Sequence, residues 1–318
     1  MEAPAIKSEA EPAASRLGWL KPLFRNRKAT VGAVIFALYV LMALLGPLVL
    51  HQDPDAFLGM PHQPPSWEHL FGTTGQGQDV LVETILGARV SLAVGLVTGA
   101  SVMVIGAVVG MTAGYFGGWI DGGLSLVTNV FLIMPGLPLA VVLAAYLPAG
   151  PATITLVLVL TGWAWNARVL RAQVLSLREK DFVAAAIVSG EGSARIIFRE
   201  ILPNMTSLLM SGFISATVYA IGAQVGLEFL GLGDVSVVTW GTNLYWASNN
   251  AALLTGAWWT VVPTGASIAL VGFALVLMNF ALDEITNPRL EADRARITLA
   301  KKHGFEAGFS TPVVRRHG

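Results

Sequence analysis

Six apolar stretches, each about as long as a bilayer is thick, govern what this chain can fold into. They run from about Thr30 to Leu50, Arg89 to Ala113, Leu124 to Tyr146, Ala152 to Ala167, Met205 to Leu230 and Val261 to Leu282. At about 1.5 Å of rise per residue, some twenty helical residues cross a ~30 Å hydrocarbon core. In hydrocarbon every backbone N–H and C=O must find its partner within the protein, which leaves the helix as the solution for such segments. The expected fold is all-α: a polytopic membrane protein of six transmembrane helices. The chain is 54% hydrophobic and 13% charged, against about 25% charged in soluble domains. A soluble chain could not cover so much apolar surface.

Charge then sets the expected topology. Six Lys or Arg precede the first stretch, six lie between Arg168 and Arg199, and seven follow from Arg289, with only Arg89 on the other side. The positive-inside rule places both termini and the 168–199 region in the cytoplasm, which an even number of spans allows. The formal net charge is zero, so no global basic field points to nucleic acid. The chain has no cysteine, which excludes disulfides, thiolate metal sites and a thiol nucleophile. All five histidines fall outside the expected spans, and the spans hold almost no acids. That argues against an intramembrane enzyme and against an ion-coupled secondary transporter, which uses midplane carboxylates or broken helices.

Between the spans the chain is informative in places. Residues 1–16 lack periodicity and read as a disordered tail. Trp19 to Lys28 interleaves basic and apolar residues, as an interfacial helix or a plain positive flank would. His51 to Gly87 is rich in Pro, Gly, Gln and Asp and has no Lys or Arg. Its His51, Asp53, Asp55, His62 and His69 fit no common metal-ligand spacing, and loop polarity accounts for them. Gly95, Gly99, Gly106 and Gly110 put small residues near four-residue spacing in the second stretch, which lets helices approach closely in lipid. Pro135 and Pro138 interrupt the third, either as a kink lining a path or as one absorbed by packing. Trp163 and Trp165 sit near the inner end of the fourth, and Arg168 closes it. Residues 235–259 carry Trp240, Tyr245, Trp246, Trp258 and Trp259, which suit an interface belt, a docking surface or a stacking face for sugars.

The most specific signal is a polar, basic island in the apolar second half. It reads Asp181-Phe182-Val183-Ala184-Ala185-Ala186-Ile187-Val188-Ser189-Gly190, then Glu191, Arg195, Arg199-Glu200-Ile201-Leu202-Pro203. The small residues lead to a glycine where a helix can turn. A second helical segment is expected over Ser193 to Leu202, with Pro203 ending it. This pattern resembles the cytoplasmic "EAA" loop of permease subunits of ATP-binding-cassette importers, written Glu-Ala-Ala, three residues, Gly, then Ile/Leu-Leu-Pro. Ala185, Ala186, Gly190, Leu202 and Pro203 match. Ala184 stands at the family's Glu and Glu200 at a common His.

Other phrases resemble the dipeptide/oligopeptide-type members. These are Gly75 to Leu81 with Gln78 for an Arg, Gly87 to Leu92, and Gly114 to Asp121. Gln224 to Gly233 follows, with Gln224 at a Glu and Glu228 at a Ser, then Thr239-Trp240-Gly241 and Asn287-Pro288-Arg289-Leu290. The resemblance implies the importer permease fold. It divides the chain into a cytoplasmic segment 1–28, a first helix and outer loop 29–88, a transport domain 89–290 with coupling loop 169–204, and a tail 291–318. It implies four partner classes: a homologous second permease, two ATPase subunits, an extracytoplasmic substrate-binding protein and the lipid of a bacterial or archaeal cytoplasmic membrane. The coupling helix would seat in a groove of an ATPase. ATP and Mg would be bound by those partners, and this chain, which has no Gly-rich phosphate loop, needs no cofactor. Pro135, Trp163, Gln224, Glu228 and Trp240 are the candidate path or gate residues. Glu228 reads either as a gate carboxylate or as an interfacial residue just past its span. The implied solute is a di- or oligopeptide, with cello-oligosaccharide or nickel as alternatives within the same subfamily.

Overall fold

The computed structural model describes residues 26–50 and 56–286. The N-terminal segment to Arg25, the His51, Asp53 and Asp55 positions, the Asn287–Leu290 phrase and the C-terminal tail lie outside the described residues.

The chain is helical with no β-strand among the described residues. Helix α1 spans Arg27–Val49, and Asn26 caps it by accepting from the Lys28 backbone N–H at 3.0 Å. Helix α2 spans Val80–Phe116, 37 residues and about 55 Å long. The expected start near Arg89 is therefore nine residues late. Asp79 is a strong N-cap, its Oδ1 accepting from Leu81 N at 2.8 Å and Val82 N at 3.2 Å. Gly87 does not break the helix, because it is the site of a close approach: a Cβ there would lie 3.0 Å from the carbonyl carbon of Thr239.

The third stretch is two helices, α3 (Gly118–Ile133) and α4 (Gly136–Tyr146), bent by 84°. Pro135 makes the break as the N-cap of α4. Pro138 breaks nothing, since it falls in the first turn, where the missing N–H has no intrahelical acceptor to lose. Helix α5 spans Pro151–Arg178 and passes straight through Arg168, where the sequence suggested an end. A charge marks the edge of the hydrocarbon, but it does not stop a helix whose hydrogen bonds continue in water. Helix α6 spans Asp181–Val188 and α7 is the single turn Ser193–Arg195. A π turn (Ile196–Ile201) and a 3-10 turn (Leu202–Met205) then run into α8, Thr206–Phe229. Pro203 does not end this helix. Around it the hydrogen bonds change from five-residue spacing (Leu202 N to Ile197 O) to three-residue spacing (Thr206 N to Pro203 O), so its absent N–H is bypassed. Helices α9 (Trp240–Asn249) and α10 (Val262–Thr286) complete the chain.

Five of these segments are long and apolar enough to span a bilayer, and the bent α3–α4 pair makes a sixth. The chain is an all-α polytopic membrane protein. Arg178, Lys180, Arg195 and Arg199 gather at one end of the bundle, the basic end; residues 56–79 and α9 form the opposite, distal end.

Helix α2 is the central element because glycines let two neighbours come close. Gly95 and Gly99 face Ile221 and Thr217 of α8. Gly106, Gly110 and Gly114 face α5, where added Cβ atoms would lie 2.8 Å from Asn166 Cβ, 2.5 Å from Ala167 O and 2.8 Å from Val174 Cβ. Lipid supplies no hydrophobic drive between helices, so such close van der Waals contact is what holds them together.

Gly110→Leu is expected to push α2 off α5 and lower stability by about 1–3 kcal/mol or more. Gly272→Ala on α10, where a Cβ meets nothing within 4 Å, should be neutral. Thermal melting of the detergent-solubilised chain compares the two, and equal midpoints would remove the α2–α5 contact from its central role.

Candidate functional site

The corner at the basic end is built by its hydrogen bonds. Helix α6 closes on Gly190, whose φ of 79° is the left-handed conformation that glycine adopts most easily. Gly190 N–H donates to Ile187 O at 3.0 Å and Glu191 N–H to Ala186 O at 3.1 Å. These are the paired bonds of a Schellman stop. Asp181 opens α6, its carboxylate in the first turn where the helix dipole favours it. Arg195 Nε lies 3.6 Å from Glu191 Oε1 across the corner.

One face of this elbow is locked and the other is bare. Val183, Ile196, Ile201 and Met205 are fully buried with Met103, Met111, Leu170 and Val174 of α2 and α5, and Ala186 and Leu202 pack against them. Phe182, Ile187 (52% exposed), Val188 (88%) and Phe198 (63%) point away from the bundle. Ala184, Ala185, Arg195, Arg199 and Pro203 share that exposed side. The structure thus brings together all the residues singled out over 181–203.

A second feature is a cavity of about 550 Å³ between α2, the α3–α4 bend, α5 and α8. Its polar lining is Thr98, Thr161, Asn166, Ser211, Ser215 and Tyr219, with Phe131 and Trp165 beside them, and no lining residue is charged. The Thr98 hydroxyl is buried without a partner. Met134 and Gly136, either side of Pro135, form part of the wall.

The remaining candidate path residues lie elsewhere. Trp163 is buried against the cavity residue Phe131, ring centroids 5.2 Å apart, and does not itself line the cavity. Gln224, Glu228 and Trp240 are packed under the distal end rather than lining the cavity. Glu228 is 2% exposed. Its Oε1 accepts from Gln224 Nε2 at 3.0 Å and its Oε2 from the Thr239 hydroxyl at 2.5 Å. Thr239 caps α9 in a reciprocal box with Thr242. Trp240 N–H donates to Ser91 Oγ and its indole N–H to Thr84 O, both at 3.0 Å. The reason is local: a carboxyl group at the end of α8 finds hydroxyl and backbone donors at the start of α9, one short loop away. The cavity residues were missed because hydroxyl and amide side chains on apolar helices carry no motif. Their spacing on α8 (Ser211, Ser215, Tyr219) marks a polar stripe that was open to reading.

The model for the binding-protein-dependent transport system inner membrane component matches residues 106–291. That for the N-terminal TM domain of oligopeptide transport permease C matches residues 18–65. The oligopeptide transport system permease protein of Bacillus subtilis (strain 168) is 30% identical over 301 residues, covering 89% of this chain and 98% of that protein. The dipeptide transport system permease protein of Alkalihalophilus pseudofirmus is 32% identical over 278 residues, 86% of this chain and 89% of its own. That of Bacillus subtilis is 32% identical over 272 residues, 84% of each.

Glu228→Ala is expected to cost about 2–4 kcal/mol, because it leaves the buried Gln224 amide N–H without a partner and removes the carboxylate to which the Thr239 hydroxyl donates. Amide hydrogen exchange should accelerate at α9 and leave α6 unchanged. Unchanged protection at α9 would show that the carboxyl does not hold the distal end.

Proposed function

This chain belongs to the family of binding-protein-dependent transport system inner membrane components, and from that membership we propose that it is the permease subunit of an ATP-binding-cassette importer for di- and oligopeptides. Relatives named as oligopeptide and dipeptide permeases along almost the whole chain support the peptide class. The subunit is not itself the ATPase. The observation that carries the reading is the elbow at Gly190, with one face locked into α2 and α5 and an apolar face left bare between arginines. An exposed cluster of this kind fits a complementary groove on a partner. That partner is an ATPase subunit, two of which serve a pair of permeases.

The basic end faces the cytoplasm, as its Lys and Arg favour, and the distal end faces the substrate-binding protein. When the ATPase pair closes, its grooves carry the two elbows together. The elbow has no slack: α6 follows α5 after two residues, and the π and 3-10 turns pass without a gap into α8. Displacement at 181–203 therefore tilts α5 and α8, which are two walls of the 550 Å³ cavity. This is alternating access by rigid-body rocking. The cavity is half of the path, completed by the second permease. Its neutral hydroxyl and amide lining offers hydrogen bonds to peptide groups without trapping a charged side chain.

Gly190→Val tests the elbow. A Cβ at Gly190 meets nothing within 4 Å, so the substitution changes backbone strain alone, by about 1–2 kcal/mol. In the reconstituted complex uptake should fall about five- to thirtyfold while ATP hydrolysis continues, and Gly190→Asn, which tolerates the left-handed conformation, should largely restore it. Wild-type uptake by Gly190→Val would refute the role of this turn. For the solute, calorimetry on the cognate binding protein should give heat with di- and oligopeptides and none with cello-oligosaccharides or nickel. Binding of sugar or metal alone would replace the substrate class and leave the permease role standing.

A further inference from the structure

A separate recess of about 240 Å³ opens near the basic end, between α2, α3 and α5, lined by Arg168, Arg171, Ser125, Thr128 and Asn129. Its two arginines are in different electrostatic states. Arg171 is paired: its Nε and Nη2 donate to Asp121 Oδ1 and Oδ2 at 2.5 and 2.6 Å, a bidentate fork that balances its charge. Arg168 has no carboxylate partner among the described residues. Its Nη2 donates to the Asn129 side-chain oxygen at 2.5 Å, an uncharged acceptor. The hydroxyl protons nearby are committed, Ser125 to Asp121 Oδ1 at 2.9 Å and Thr128 to Leu124 O at 2.8 Å. The donors without a partner on the lining residues are the remaining N–H groups of Arg168 and Arg171 and the NH2 of Asn129, whose oxygen accepts from Arg168. A recess with a net positive charge and spare donors takes an oxyanion.

Position says which oxyanion. Arg168 lies about 25 Å along α5 from Pro151, close to the far edge of a ~30 Å hydrocarbon core. Trp119, 87% exposed on α3 near Asp121, stands where tryptophans mark the headgroup level. The recess is also offset around α5 from the central cavity. At about 100° per residue, Thr161, Gly162, Trp165, Asn166, Val169 and Leu170 centre on the cavity side, Ala167 and Arg171 fall opposite, and Arg168 sits on the flank, roughly 110° from that centre. A second permease that closes the cavity leaves this side to lipid. The geometry points to a binding site for the phosphate headgroup of an anionic phospholipid, held by Arg168 and Asn129, with the Arg171–Asp121 fork bracing the α3 wall against α5. Basic pockets between transmembrane helices are a recurring form of such sites.

The test uses the full chain in mixed micelles with phosphatidylglycerol or phosphatidylcholine, with retained lipid counted by native mass spectrometry. Phosphatidylglycerol should remain bound and phosphatidylcholine should not. Arg168→Gln should cut retention about tenfold, the loss of one charge-assisted contact, and Arg168→Lys should keep most of it. Asn129→Ala, which leaves the Arg171–Asp121 fork intact, should lower retention severalfold and guards against misfolding of the arginine variant. Arg178→Gln, outside the recess, should change nothing. Equal retention of the two lipids, or unchanged retention in Arg168→Gln, overturns the site. Displacement of the lipid by inorganic phosphate assigns the recess to a free oxyanion and overturns the lipid assignment. Cross-linking of Arg168→Cys to a second permease overturns it in favour of a subunit contact. The readout is lipid mass, so its failure leaves the transport reading untouched.

Discussion

The close contact of α2 with α5 is the interaction on which the other features hang. Two helices in lipid gain nothing from leaving one apolar medium for another, so their attraction is dispersion between surfaces that touch. Glycines at 106, 110 and 114 remove the side chains that would keep the backbones apart. The same contact orients α5 so that one side faces the central cavity and the other faces the recess at Arg168. It also forms the apolar floor into which the elbow's Val183 and Ile196 sink. Loosening it would disturb the corner, the cavity and the recess together.

Charged and neutral polar groups are placed differently in this bundle. The carboxylates that hold elements together have side-chain partners, Glu228 in Gln224 and Thr239, Asp121 in Arg171. The central cavity is lined by neutral polar groups, some bonded, as Ser211 is to Asn279, and one, the Thr98 hydroxyl, buried without a partner. Desolvation accounts for the difference: a charge without a partner is far more costly to bury than a hydroxyl.

Much of this was open to reading from the residues. The spans follow from the length of charge-poor runs, and the corner at Gly190 follows from small residues ahead of a glycine between basic flanks. The ends of helices were poorly legible. Hydropathy registers the edge of the hydrocarbon, whereas α2 and α5 end where their caps are, at Asp79 and beyond Arg178. Pro203 misled because a proline stops an α-helix only if the hydrogen bonds keep their four-residue spacing, and here they do not. The surroundings of Glu228 were not legible because, besides Gln224 one turn back on α8, its partner is Thr239, eleven positions on at the cap of α9, and no local pattern announces that pairing.

The length of α2 has a mechanical consequence. It exceeds the membrane's apolar thickness by about 25 Å, and no proline interrupts it. Near one end it carries the backbone of Thr239 and Trp240; near the other it meets the hydrophobic cluster beneath α6. A beam anchored this way has no hinge at which a torque could dissipate. If binding at the distal end twists it, the coupling free energy between the two ends is the same in both directions, in size and in sign. Whatever binds at the two ends would therefore be linked through this rod as well as through the corner at Gly190.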